Sequence, residues 1–479
     1  MQETNDLMGF WHGYVFAINS IVGSGTLVIP WAYQKGGLLL GILSQLLTSF
    51  SSVLVSYHIL QSTSRVKHIQ DKLKSGYTLT PVKISQFFTK TSPEMFLQES
   101  KITENSFLMP KHEVQLDVRY DLTDMASLLI GKKSGILFGT VLAMSLFGCM
   151  MALSTIFASS LTSTIPLFGN SVCNIYDKHS TVGNNCWQVY WFYLSVLWAI
   201  VLLVSLLGIK GQQTFQSILS LMRYTVISII LGTCTFLLVT QQTLNGEDLD
   251  VKVTIFDSKS IGITLPIIFM TNYYHSCIPN ITEFVKDKEK TVPIILNSAI
   301  FSSSILFMML GILTPFAFGN VEKMVTMNWE VIHPENEYFL ALVLVKYTVI
   351  LFPAFIAISN FPIYAISLSD NLIAFFHSKF EGKEVGSTEL FLVRFFVVSI
   401  PVGFAAFIFD LGFIFNVFGT LFLIEVGVFV PLLTISSKRI VPKRVMFDNK
   451  ISHEFWSWFI ILLYLTIFGL SWYSILFWA

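Results

Sequence analysis

The apolar residues of this chain come in long runs, not in the short alternating or helical-period patterns of a water-soluble domain. Runs of about 20 residues, enough to cross a bilayer core, fall near 11–33, 37–60, 135–163, 188–208, 215–240, 259–282, 291–318, 339–368, 390–409, 412–434 and 455–478. They predict an all-α multi-pass membrane protein with eleven transmembrane helices. A short segment, 1–10, precedes the first span, and the longest polar stretch, 61–133, separates spans two and three. That stretch shows little periodicity until YDLTDMASLLIGKKSG at 120–135, where Asp121 or Thr123 would cap a short amphipathic helix lying at the membrane surface.

Two of the runs are interrupted. In span one, GYVFAINSIVGSGTLVIPWAY, the centre is Gly23-Ser24-Gly25, poor helix formers that leave the middle free to unwind. An unwound backbone at membrane depth is tolerated only where protein or a water-filled cavity satisfies it. The break is therefore expected to line a cavity and to aim the amides of the half-helix resuming near Thr26 into it, a site for a small anion such as a carboxylate. The competing explanation is that small residues let a neighbouring helix pack closely. Span six, GITLPIIFMTNYYHSCIPNITEF, has a polar centre from Thr271 to Ser276, and Pro279 removes a helical hydrogen bond, so the helix should open just before it. Five spans separate the two breaks, so span six enters from the opposite side. The expectation is a 5+5 inverted repeat with broken helices 1 and 6. One five-helix unit covers 11–240 and its inverted counterpart 259–434, followed by one extra C-terminal helix, 455–478. The substrate site would lie near the midplane between the breaks.

Composition agrees with this class. Of 479 residues, 53% are hydrophobic and only 13% charged, about half the charged share of soluble domains. With 30 basic and 30 acidic residues, the balance suggests no nucleic-acid partner. With the N-terminus cytoplasmic, twenty-two Lys and Arg fall in or beside inner loops and five in or beside outer ones, or eleven against five without the long loop. The positive-inside rule thus orients the chain with its N-terminus cytoplasmic and its C-terminus extracellular or lumenal. Cys173 and Cys186 then share an outer loop and are expected to be bridged in an oxidising compartment, the alternative being two free thiols. The other three cysteines sit in apolar spans, and no cysteine and histidine have zinc-site spacing, so no metal centre is expected.

Asn19 with Gly23-Ser24-Gly25 and Pro30-Trp31-Ala32-Tyr33, Asp121 through Gly131 with Gly135, and His275 with Ile278-Pro279 together resemble the amino acid/auxin permease family, within the amino acid–polyamine–organocation group. The resemblance runs over essentially all the spans except the 61–119 loop. Finer pieces, ILSLMRYTV at 218–226, YYHSCIPNI at 273–281 and SNFPIYAISLSDNL at 359–372, are similar to its transmembrane protein 104 branch. What the resemblance implies is a substrate carboxylate on the span-one break, at Gly23, Ser24 and Gly25 near Asn19. The substrate amino group would sit on the span-six break, at Asn272, Tyr273 and His275. It also implies a cation between span-one carbonyls and span eight, where Ser359 and Asn360 offer oxygens for sodium. Arg223 in span five would hold that position as a fixed charge, or would snorkel to the inner headgroups, the reading its shallow depth favours.

His275 titrates near neutrality and is a candidate proton carrier, or a neutral imidazole bridging helices. Glu425 and Lys346 are ionisable residues inside apolar runs and functional candidates by default, with Glu425 the proton carrier if His275 is not. The sequence therefore predicts a secondary active transporter of amino acids or similar small zwitterions, working by alternating access and driven by a proton or sodium gradient. The alternative is a non-transporting solute sensor or scaffold that signals through the 61–120 loop. An enzyme is not expected: there is no HExxH or nucleophile-elbow pattern, and no Walker A loop for ATP-driven transport. Besides a small-molecule substrate and the lipid bilayer, the only companion expected is Na+ or H+ as coupling ion, and no cofactor.

Overall fold

In hydrocarbon every backbone N–H and C=O must be satisfied within the protein, and uninterrupted helix does this residue by residue. The computed structural model describes residues 9–74, 77–79, 97–99, 122–167, 175, 186–242, 251–330, 339–376, 386–449 and 453–478, and they are almost wholly helical. In order they form α1 (Phe10–Ile21), α2 (Gly25–Gly36), α3 (Leu38–Lys74), the strands β1 (Tyr77–Leu79) and β2 (Leu97–Glu99), α4 (Leu122–Leu129), α5 (Lys132–Thr162), α6 (Cys186–Leu206), α7 (Gly208–Gly211) and α8 (Gln213–Thr240). There follow α9 (Ile261–Thr271), α10 (Ile278–Phe284), α11 (Lys288–Phe318), α12 (Phe339–Ile350), α13 (Phe352–Phe376), α14 (Ser387–Ala405), α15 (Leu411–Ile424), α16 (Val430–Ile440) and α17 (Glu454–Trp478). Among these residues nine helices are long and apolar enough to cross a membrane, or ten when α1 and α2, bent by 47° at their break, count as one span. The expected span six is divided into α9 and α10, neither of which reaches spanning length alone.

Helix α5 runs through the centre of the bundle, packed by α13, α15, α6 and α4. Helix α4 departs from expectation. It is short and amphipathic, but Leu122, Thr123, Met125, Ala126 and Leu129 are buried against other helices, so it sits within the protein and not flat on the membrane surface. The Thr123 hydroxyl does not cap it but donates to Asn371 Oδ1 of α13 at 3.2 Å, and Asp121 lies outside the described residues. Helix α3 runs on to Lys74, well past the expected end at residue 60. Arg65 in its C-terminal part forms an ion pair with Asp448 in the segment after α16, and its Nε donates to the Val441 carbonyl at 3.1 Å.

The extra helix α17 is part of the core. Tyr464 places its hydroxyl 3.2 Å from Ser51 of α3 and its ring edge-on to Phe269 of α9, centroids 5.3 Å apart. Gly427 makes room for it: a Cβ there would lie 2.1 Å from Tyr464 Cβ. At the start of α3, Gly37 (φ +85°) turns the chain from α2 into α3 where a side chain would strike the Ile255 carbonyl. The loop there is stitched to the turn by Leu39 N–H to Ile255 O (2.9 Å) and Asp257 N–H to Gly36 O (2.9 Å). Cys149, Cys234 and Cys277 are buried inside the bundle and not disulfide-bonded, and Cys186 is buried at the start of α6. Its expected partner, Cys173, lies outside the described residues.

Candidate functional site

The break in segment one is three residues long, Val22 to Ser24, and most of its polar groups are committed. Val22 N–H donates to Ile18 O (2.7 Å) and Gly23 N–H to Ile21 O (2.8 Å), while the carbonyls of Gly23 and Ser24 accept from Thr26 and Leu27 at 3.1 Å each. The amides of Ser24 and Gly25 have no acceptor among the described residues. This narrows the expected anion-binding set: Gly23 contributes no free N–H. Its role is steric, since a Cβ there would fall 2.4 Å from Asn360 Nδ2 of α13.

Behind the break stands a polar cluster that joins three elements. Arg223 of α8 is buried and does not snorkel, against the reading its depth favoured. Its guanidinium donates to the Asn19 carbonyl at 2.9 Å and to Asn360 Oδ1 at 3.0 Å. Asn19 Nδ2 donates to both the backbone and the side-chain oxygen of Gln216, each at 3.0 Å. Gln216 in turn receives the Ser359 hydroxyl (2.8 Å) and donates to the Ser359 carbonyl (2.9 Å). Tyr364 adds its hydroxyl to the Ser20 carbonyl at 3.2 Å. The Arg223 guanidinium thus lies between a segment-one carbonyl and segment eight, where the resemblance places a cation. Asn19, Ser359 and Asn360 meet here as wall and support of the break.

The second break is built differently. Residues Asn272 to Tyr274 are non-helical, followed by a 3-10 turn at His275–Cys277, with Pro279 in the first turn of α10. The carbonyls of Asn272 and Tyr273 accept no hydrogen bond among the described residues. Asn272 is fully buried, and both its amide atoms lack partners. His275 is also buried, its ring 6.4 Å from that of Phe422 and facing the Ser52 backbone on α3. Tyr273 turns the other way.

A small cavity joins the two breaks. Gly23, Ser24 and Gly25 line one wall, and Thr271 and Tyr273 the other, with Cys149, Tyr364 and Phe415 closing it. Gly25 is where the walls meet: a Cβ there would lie 2.6 Å from Thr271 Cγ2. The arrangement brings Ser24, Gly25 and Tyr273 to the cavity and leaves the side chains of Asn272 and His275 outside its lining. Glu425 is one residue removed, its carboxylate oxygens 3.2 and 3.3 Å from the Tyr273 hydroxyl. Lys346 belongs elsewhere, donating to the Glu330 carbonyl at 2.9 Å. Gln216 and Tyr364 escaped sequence reasoning, since a glutamine near a helix start and one tyrosine among sixteen carry no signal of their own.

The spans, the two broken segments and the cavity between them are those of an integral multi-pass membrane protein, and a family model described as transmembrane amino acid transporter protein matches residues 8–80, the stretch that holds the first break. Within that class the chain is similar to transmembrane protein 104. It is 22% identical over 375 residues to the transmembrane protein 104 homolog of Caenorhabditis briggsae, covering 75% of this chain and 67% of the relative. The Gallus gallus transmembrane protein 104 is 20% identical over 400 residues, covering 78% and 76%. The Dictyostelium discoideum homolog is 20% identical over 478 residues, covering 91% and 92%. The resemblance to transmembrane protein 104 therefore holds along most of the chain, and that to the amino acid transporter family over residues 8–80.

Proposed function

We propose that this protein is a secondary active transporter of amino acids or similar small zwitterions that works by alternating access. The observation that carries this reading is the complementarity of the two breaks. Ser24 and Gly25 leave amides unengaged at one, while Asn272 and Tyr273 leave carbonyls unengaged at the other. Free amides and a positive helix end suit a carboxylate, and free carbonyls suit an ammonium group. One cavity reaches both breaks. In this reading Arg223 serves as the fixed cation, which favours proton over sodium coupling, because a second charge beside a buried guanidinium is costly.

The same proposal counts α9 and α10 as one interrupted span, which gives eleven spans in a 5+5 inverted repeat with α17 added. It takes the N-terminus as cytoplasmic and the C-terminus as extracellular or lumenal. It also keeps the Cys173–Cys186 bridge, supported by the other three cysteines lying within spans and not being disulfide-bonded. A Cys173→Ser variant whose mobility on a non-reducing gel, after alkylation, matches wild type would sink the bridge.

The test of transport is uptake of a pooled labelled amino-acid mixture into liposomes holding the purified protein, under a proton gradient, a sodium gradient or neither. Accumulation under the proton gradient alone is the expected result. Absence of accumulation in protein whose melting temperature still rises with an amino acid would replace transport by solute sensing through the 61–120 loop.

A further inference from the structure

Among the described residues, one carboxylate lies deep in the bundle within reach of the cavity, and it has no cation. Glu425 opens a five-residue π-helical turn, Glu425–Phe429, between α15 and α16, and is 1% exposed. Such turns widen a helix by one residue and recur at functional sites because they turn a side chain out of register. Here the widening coincides with Gly427, which admits Tyr464 of α17, so the turn is locked from behind. No ion pair involves Glu425 among the described residues. What face it are Tyr273 from the second break and Ser145 and Cys149 from α5.

The hydrogen-bond roles of these neighbours differ. Tyr273 donates its hydroxyl proton toward the carboxylate, and the Ser145 hydroxyl also reaches it. The Ser145 hydroxyl also donates to the Val141 carbonyl of its own helix at 3.0 Å, so it is shared between two acceptors. A carboxylic acid can accept from Tyr273 and still keep its own proton to donate. A carboxylate is acceptor only, so on losing its proton Glu425 must recruit a donor, either by turning Ser145 round or by drawing Tyr273 closer. Tyr273 is a wall of the cavity and lies edge-on to Phe422 of α15, centroids 4.9 Å apart. It also lies 6.2 Å from the ring of Tyr364, whose hydroxyl holds the Ser20 carbonyl beside the first break. One hydroxyl therefore links the state of a buried acid to both sides of the cavity.

Building on the transport reading above, we infer that Glu425 is the site that carries the coupling proton, with Tyr273 as the positioning residue that reports its occupancy to the cavity. His275 lacks this connection: its ring faces Ser52 and Phe422 and does not line the cavity. The step needs no other reactant. The O–H bond of the carboxylic acid breaks, the proton leaves through the cavity to water on one side of the membrane, and the carboxylate is reprotonated from the other.

The full-length protein in liposomes tests this with two assays on the same preparation. One is exchange of external labelled for internal unlabelled amino acid without a gradient, and the other is accumulation with one pH unit imposed. One proton per substrate then permits about tenfold accumulation. The quantity read is the ratio of accumulation to exchange. For Glu425→Gln the ratio is expected to fall to the value seen without a gradient, and Tyr273→Phe, which removes the linking hydroxyl, should lower the ratio and shift the pH dependence of accumulation. Should Glu425→Gln not fold, Glu425→Asp must couple as wild type with its pH midpoint displaced by about 0.4 unit or more, the intrinsic difference between the two acids. Gradient-driven accumulation by Glu425→Gln equal to wild type, or an unmoved midpoint in Glu425→Asp, overturns the inference and leaves the transport reading standing. A wild-type protein that neither exchanges nor accumulates any amino acid overturns the transport reading, and the inference with it.

Discussion

The two breaks sit on opposite walls of one cavity and are made by different means. Break one uses residues with almost no side chain, Gly23-Ser24-Gly25, and takes its shape from outside: Arg223 and Tyr364 hold the Asn19 and Ser20 carbonyls just before it, and Asn360 fills the space beside Gly23. Break two uses large side chains, Asn272, Tyr273, Tyr274 and His275, and shapes itself by burying them. Tyr274 hydrogen-bonds Ser56 of α3, and Tyr273 reaches Glu425. The lesson is that an unwound segment can be rigid in either of two ways. A bare backbone needs a scaffold of partners, whereas a bulky one becomes the scaffold for others.

Variants that fill break one should have the largest effect. Gly25→Leu would drive a side chain into Thr271, and we expect solute binding to be abolished with a loss of about 1–3 kcal/mol from overpacking. Normal affinity by thermal shift in a well-folded variant would break the assignment of Gly25. Next comes the scaffold of that break. Arg223→Met strips charged donors from the Asn19 carbonyl and Asn360, at a cost of about 3 kcal/mol in thermal stability. We expect uptake by this variant to become sodium-dependent, whereas wild-type uptake is expected to be indifferent to sodium. Tyr364→Phe removes a single neutral hydrogen bond and should cost about 1 kcal/mol. At break two, Asn272→Leu replaces an amide that has no protein partner, so its stability should stay within about 1 kcal/mol of wild type. A larger loss of melting temperature there would mean that break two depends on partners as break one does, and would erase the contrast.

Much of this was legible in the sequence where one residue type decides the outcome. Glycines flanking a serine in an apolar run announce a break, and Pro279 announces the start of α10, because both are properties of the local backbone. The long apolar runs set the helices in the same way, though the end of α3 escaped: Arg65, Lys67 and Lys72 read as loop charges, yet they ride on a helix that continues past the apolar run. Direction was the harder quantity. The depth of Arg223 along its helix fits snorkelling, and only its rotational position, facing Asn19 and Asn360, buries it. Likewise α4 has the pattern of a surface helix, which is equally the pattern of one packed against protein. Two of the residues nominated at break two, Asn272 and His275, flank Tyr273 in sequence, but the turn that aims Tyr273 at the cavity aims them away from it.

The length of α3 has a mechanical meaning. Its 37 residues span about 55 Å, against a hydrocarbon core of about 30 Å, so its C-terminal end stands clear of the membrane. Ser56, near its middle, touches Tyr274 of break two, and Arg65 pins it to Asp448 nine residues further on, with Lys74 another nine beyond. A stiff rod held at Arg65 is a lever with equal arms. Any tilt that break two imparts at Ser56 swings Lys74 through the same distance in the opposite sense. The Arg65–Asp448 pair is the fulcrum of that lever.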